Sequence, residues 1–240
     1  MYLNIDDSND KLTSLITYNT NTTSNNVPIP KLYIDQVAFI SFISNGNGSI
    51  LCTNNSIIVT LSNCVFANNT ANNGGSIYIN NTIDNTITIS DCLFTNNKAN
   101  VYGGAIYFES NIYSINIVSS KFYDNTAILG GGAIFLYSNT KNIKILDTEF
   151  ISNKQLKQST TPVLGGGAIY FLNDLHELIY IYNSTFISNT VASFGGCFLS
   201  SDAAKIVNFT VDNCYFEGNV AFNSGTIIII IIIIIIIIII

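Results

Sequence analysis

The chain has 240 residues and a net charge of −6, with 48% hydrophobic but only 10% charged residues. Its nine basic residues are all Lys, which leaves no basic face of the kind nucleic-acid binding needs. Residues 1–10 lack the basic start and apolar run of a secretory leader. Residues 1–31 as a whole hold no clean repeat and are expected to form a partial coil or a frayed start. Nothing there reads as a cap for an open sheet edge, which points to a piece of a longer solenoid.

From residue 32 to about 230 the chain repeats itself. Phe-x-x-Asn recurs with Phe at 42, 66, 94, 122, 150, 186 and 216 and Asn at 45, 69, 97, 125, 153, 189 and 219, in steps of 24, 28, 28, 28, 36 and 30 residues. A glycine signal follows each copy. It is strict at Gly103–Ile106, Gly131–Ile134 and Gly166–Ile169, and relaxed at Gly74–Ile77 and Gly195–Phe198. Only half of it remains at Gly48-Ser49-Ile50 and Gly225-Thr226-Ile227. A fixed period of this length marks a solenoid or a propeller.

The columns upstream of each Phe decide between the two. Seven residues before it stand Val59, Ile87, Ile115, Ile143, Ile179 and Phe209. Five before stand Val37, Leu61, Ile89, Ile117, Ile145, Ile181 and Val211. Two before stand Ile40, Cys64, Cys92, Ser120, Thr148, Ser184 and Cys214. The first two columns stand two residues apart, as the third does from the Phe, so the segment reads as strand with one buried face. The Ala-Ile-Tyr-Phe segments after the glycines read as a second strand type. No window carries a helical stripe. Strands repeating in one order and direction stack in parallel, so the expected fold is all-β: a single-stranded parallel β-helix of about seven coils, each about 4.8 Å above the last. The Phe column should stack inside. The Asn column should sit at a corner, since Asn tolerates left-handed backbone, and should offer its amide to neighbouring coils.

Tandem Gly-Gly-Ala-Ile and Phe-x-x-Asn, alternating over roughly residues 32–230, resemble the repeats of the chlamydial polymorphic outer membrane proteins. The resemblance implies a right-handed β-helix displayed at a cell surface, often as an adhesin. Full-length relatives carry a leader and a C-terminal translocating barrel.

Between Asn153 and Gly166 the spacing swells by about eight residues. This polar insert carries Lys154, Lys157 and Gln158, which make the candidate binding loop, since insertions in solenoids map to loops. Residues 231–240 belong to a run of Ile that starts at Ile227; the run is too short to span a membrane, so anchoring would require a longer chain.

The search for chemistry yields little. Cys64 and Cys92 fall in one inward column in consecutive coils, which suits a disulfide in an oxidising compartment. The odd total of five Cys and the Ser and Thr replacements in that column favour buried thiols. The single His, His176, stands near Asp174 and Glu177 in what reads as an exposed turn. Asp91 and Asp147 share a column two coils apart, roughly 10 Å, a separation compatible with an inverting glycosidase. That column also accepts Asn63, Ser119, Asn183 and Asn213, as a solvated surface would. No catalytic residue, metal site or cofactor is assigned. Seven Asn-x-Ser/Thr sequons, at Asn21, Asn47, Asn54, Asn68, Asn80, Asn183 and Asn208, matter only in a eukaryotic secretory pathway. The expected function is a non-catalytic, extracellular or cell-surface scaffold that binds a protein or glycan partner. The rival is a polysaccharide lyase or glycoside hydrolase of the β-helix class.

Overall fold

The computed structural model describes residues 14–18, 29–53, 57–81, 86–137, 139–158, 165–172, 175–200, 205–223, 225 and 227–229. The Ile run beyond Ile229, the sequons at Asn21 and Asn54, Asp174 and the insert residues 159–164 lie outside these.

The chain forms a parallel β-solenoid, with no helix among the described residues. One coil shows the plan. Thr86–Ser90 forms an aliphatic strand with Ile87 and Ile89 inside. The backbone turns at Asp91 (φ 52°), runs through Leu93–Thr95, and turns again at Asn96 (φ 54°). Lys98–Ala99 forms a short third strand. Gly103 (φ 65°) then leads into Ile106–Ser110. The next coil repeats this order, and each strand pairs in parallel with its counterpart one coil away.

Four sheets result, of eight, seven, six and seven strands. They are called here the glycine-led, phenylalanine, short and aliphatic sheets, in the order that strands 106–110, 93–95, 98–99 and 86–90 represent them. From the first strand of the seven-stranded aliphatic sheet, Lys31–Asp35, to the last, Lys205–Asp212, the chain makes six full turns. Pairing also reaches Ile16–Tyr18, which joins Leu51–Thr53 in the glycine-led sheet.

The core lies between the sheets. The aliphatic sheet contributes columns such as Leu61, Ile89, Ile117, Ile145 and Ile181. Beside it stand the Phe rings of the phenylalanine sheet. Phe66, Phe94, Phe122, Phe150 and Phe186 are fully buried and nearly parallel, with centroid separations of 4.6, 4.8, 4.9 and 4.9 Å. Phe216 continues the stack at 5.1 Å. The strand spacing sets this separation, and at that distance the rings keep offset-stacking contact along the whole axis.

The first coil departs from the expected register. Phe39, not Phe42, pairs with Phe66 and stacks on it at 5.2 Å. The strand before it decides this: Leu32 and Ile34 are buried and pair with Val59 and Leu61. The five-residue step across the left-handed corner at Gln36, the same as from Leu61 to Phe66, then carries Phe39 into the core and leaves Ile40 54% exposed. Val37 consequently stands in the Cys64 column rather than the Leu61 column, its carbonyl accepting the Val65 N–H. Phe42 occupies the Asn column, and Asn45 lies exposed beyond it. Likewise Ile50 falls at the small-residue position aligned with Ser76, and Leu51 takes the Ile column.

The glycine pairs serve two purposes. Gly103 adopts left-handed backbone, whereas Gly104 faces its counterpart in the next coil. A Cβ on Gly104 would meet the Gly132 carbonyl oxygen at 1.9 Å, closer than any substitution could relieve.

Phe122→Ala should cost about 3–5 kcal/mol, since rings above and below hold the cavity open. Phe42→Ala, at a half-buried position outside the stack, should cost much less; denaturant midpoints of the two variants check the register.

Candidate binding surface

The Asn ladder is interior. Asn69, Asn97, Asn125, Asn153 and Asn189 are each 0% exposed. Asn97 shows the pattern: its backbone N–H and its Nδ2 both donate to Asn125 Oδ1, each at 3.0 Å, and Nδ2 also donates to the Phe66 carbonyl at 2.9 Å. Asn125, Asn153 and Asn189 repeat it one coil on, and Asn219 Nδ2 reaches the Phe186 carbonyl at 2.7 Å. Both amide hydrogens and the oxygen are thereby used, which a buried amide requires. At Asn69 a hydroxyl intervenes: Nδ2 donates to Ser76 Oγ, which donates to Asn97 Oδ1.

The left-handed residue at this corner is not the ladder Asn but the one before it. Asn68, Asn96, Asp124, Ser152, Ser188 and Gly218 have φ between 54° and 60°. The division follows from the chemistry: an exposed residue takes the strained backbone, and the next turns its amide inward.

A second left-handed column lies between the aliphatic and phenylalanine sheets. Gln36, Asn63, Asp91, Ser119, Asp147, Asn183 and Asn213 occupy it, with φ between 47° and 56°. This is the column that holds the two carboxylates weighed for glycan hydrolysis. The backbone explains it, because Asn and Asp are the non-glycine residues that best tolerate this region. Asp147 Oδ1 accepts Asn183 Nδ2 at 2.7 Å, and Asn183 Oδ1 accepts Asn213 Nδ2 at 2.9 Å. Asp35, one residue before the column, has its carboxyl held below the usual range by hydrogen bonds from Asn63 and then Ser62.

Next to this corner runs the Cys/Ser/Thr column. Each side chain donates to the carbonyl two residues back: Cys64 to Ser62, Cys92 to Ser90, Ser120 to Val118, Thr148 to Leu146, Ser184 to Tyr182 and Cys214 to Asp212. A thiol and a hydroxyl do the same work here, which accounts for their exchange. None of the five cysteines is joined in a disulfide. Burial pushes the Cys92 thiol up to about 12 and raises that of Cys197 as well.

The residue after each glycine-led Ile was not foreseen as buried. Tyr78, Tyr107, Phe135, Tyr170 and Leu199 point away from the main core yet form a second apolar cluster, with Tyr102 and Phe194 packed over it. The Tyr102 ring lies 4.3 Å from that of Phe135. The sequence signal was the aromatic column itself, too large and regular for a solvent face.

The binding-loop residues separate. Lys154 sits in the short strand Lys154–Gln155, paired with Thr126 and Thr190. It is a strand residue facing solvent, and the insert begins after Gln155. Lys157 and Gln158 are exposed on that insert. Gln155 replaces the Ala of other coils, and its Nε2 donates to the carbonyls of Ile128 and Lys157 at 2.9 and 2.6 Å. His176 lies in the strand Leu175–Tyr182, paired with Thr140 and Ile206, rather than in a turn; that strand begins earlier than its counterparts in the first coils.

The sheet with the longest strands, the aliphatic one, turns its other face to solvent. One row across it reads Thr60, Thr88, Asn116, Lys144, Tyr180 and Thr210, and the next reads Ser62, Ser90, Val118, Leu146, Tyr182 and Asp212. Tyr180 and Tyr182 hold their rings nearly parallel, 6.0 Å apart. No cluster of three or more His, Cys, Asp or Glu suited to a metal occurs among the described residues.

Comparison with known proteins places one coil. Residues 91–109 match the Chlamydia polymorphic membrane protein repeat. The match runs from the corner at Asp91 through the Phe94 and Asn97 pair and Gly103–Ile106 to Glu109, so it covers both signals of the repeat once. No curated protein and no solved structure matches the chain significantly.

Asn125→Ala removes a donor to the Phe94 carbonyl and leaves two donors of Asn97 unpartnered in the interior, and should cost about 3 kcal/mol or more. Asn96→Gly, at the exposed left-handed position next to the ladder, should change stability by no more than about 1 kcal/mol. Hydrogen exchange at the flanking coils separates the two. In the native protein at pH 8, Cys92 and Cys197 should resist iodoacetamide that labels them readily in urea, because a raised thiol pKa keeps the reactive thiolate scarce; equal native labelling would contradict their burial.

Proposed function

We propose that this solenoid is a non-catalytic scaffold, adhesin-like and displayed at a cell surface or secreted, that binds a protein or glycan partner through its outward rows. One observation carries the reading. The features that define the repeat are spent inside: the Phe and Asn columns of the middle coils are wholly buried and bond only to neighbouring coils. Outward positions change from coil to coil, as the Thr60-to-Thr210 row does. A fold of this kind keeps a rigid frame while its surface varies, and that is the property a display scaffold needs. The repeat match supports the surface placement.

The surface residues best suited to recognition are Lys144, Tyr180 and Tyr182 on the outer face of the aliphatic sheet, with Lys157 and Gln158 on the insert. The folded chain, coupled to beads, should be retained on one or more of a panel of glycan-coated and extracellular-protein-coated surfaces. Retention should fall at least about tenfold for Tyr180→Ala with Tyr182→Ala, or for Lys157→Glu with Gln158→Ala, while melting is unchanged. Release of reducing sugars or unsaturated products from a polysaccharide panel would overturn the non-catalytic reading.

A further inference from the structure

The chain contains three Asn-Gly steps: Asn45-Gly46, Asn47-Gly48 and Asn73-Gly74. Such a step is the most easily deamidated in polypeptides, because a glycine nitrogen is unhindered when it turns on the preceding side-chain amide. The reaction needs that nitrogen free to move and the Asn side chain free to swing back.

The solenoid denies both freedoms at two of the steps. Gly74 N–H donates to the Tyr102 carbonyl at 2.9 Å, and Gly48 N–H to the Asn73 carbonyl at 2.9 Å. The side chains are held too. Asn73 Oδ1 accepts the Tyr102 N–H at 3.2 Å, and Asn73 Nδ2 donates to Asn47 Oδ1 at 3.0 Å. Both glycines sit in left-handed backbone, with φ of 54° for Gly48 and 59° for Gly74.

Asn45-Gly46 differs in each respect. Asn45 and Gly46 are exposed. Gly46 N–H is bonded only locally, to the Ser44 hydroxyl two residues back at 3.0 Å, and not to another coil. An added Cβ on Gly46 would meet nothing nearer than that hydroxyl oxygen, at 3.5 Å, so the segment has room around it.

We propose that Asn45 is a site of spontaneous modification, converting to aspartate and isoaspartate through a cyclic imide. The Gly46 nitrogen attacks Asn45 Cγ and gives up its proton to solvent base. The Cγ–Nδ2 bond breaks and ammonia leaves with a proton from water. Water then opens the five-membered imide at either carbonyl. Opening at one yields an ordinary aspartyl residue in place of Asn45; opening at the other routes the main chain through the former side-chain carboxyl. No oxidant or cofactor enters. The product adds a negative charge to a corner now held by Asn72, whose Nδ2 donates to the Asn45 carbonyl at 2.5 Å and whose N–H donates to the Gly46 carbonyl at 2.7 Å. The isoaspartyl form lengthens the backbone there and displaces both acceptors, so conversion acts as a timed loosening of this coil.

The test is to incubate the purified, folded chain in mildly alkaline buffer and follow its peptides by mass spectrometry, with a chromatographic step that resolves Asp from isoAsp. Asn45 should acquire the amide-to-acid mass increment at least about tenfold faster than Asn47 or Asn73, which must open their inter-coil bonds first. In urea all three should react at comparable rates. Gly46→Ala should suppress conversion at Asn45 without lowering the melting temperature. Reaction of Asn47 or Asn73 as fast as Asn45 in the folded chain would overturn the proposal, as would an Asn45 that stays intact while the unfolded chain converts.

Discussion

The constraint on which the molecule rests is vertical register. No coil can satisfy its own backbone; almost every N–H in the strands finds its carbonyl one coil away. The Asn ladder enforces this at the corner where strand pairing would otherwise lapse. Each amide ties three coils together, since Asn97 accepts from Asn69, donates to Asn125 and donates back to Phe66. A residue gained or lost inside a strand would break the ladder and the Phe stack at once. Length variation is therefore confined to the corners, and the most swollen coil opens after the short strand.

The Phe stack is a consequence of that register as much as a cause of stability. Rings at the strand spacing touch only when successive coils hold them at equal height and angle, as the interplanar angles of 1° to 6° between Phe66 and Phe186 do. At the first coil the angle opens to 20°, and there the Asn column is filled by Phe42. A ring cannot accept the N–H of a further coil as an amide can, so the ladder stops where the stack begins to tilt.

Parity made most of this legible. Alternation of Ile87 and Ile89 with polar neighbours, and the fixed step from there to Phe94, mark which side chains are inside, and equal spacing makes the strands parallel. The motif misled at Phe42-Ile43-Ser44-Asn45, a chance copy of the signal. Alternation across Leu32, Tyr33 and Ile34 ran in the other register, and packing obeyed the alternation. Period-two reading also assumes that the second face of a strand meets water. It cannot reveal that Tyr107 is covered by the chain folding back through Tyr102. The sequence places Asn at a corner for its tolerance of left-handed backbone; in the structure that tolerance belongs to Asn96, whereas Asn97 is there for its hydrogen bonds. The surface was least legible, because nothing in a solenoid's periodicity constrains a residue that faces solvent.

The same division tells where variation carries meaning. Asp91 and Asp147 looked chemical because two carboxylates shared a column, but the backbone at that column admits few residue types, and Asp is one of them. Gln155 is the reverse case. It stands where Ala71, Ala99 and Ala127 stand in other coils, in a position that asks only for a small apolar group. A buried Gln there is costly, and its Nε2 offsets part of that cost on the carbonyls of Ile128 and Lys157 as the chain leaves the solenoid, while its Oε1 stays buried without a hydrogen bond. The substitution and the insertion are thus one event: the longer loop turns its backbone inward at its base, and the polar side chain meets it. Departures from the repeat that come with such a compensation mark where the scaffold has been remodelled, and the residues just beyond them, Lys157 and Gln158, stand on the part of the surface that the repeat no longer dictates.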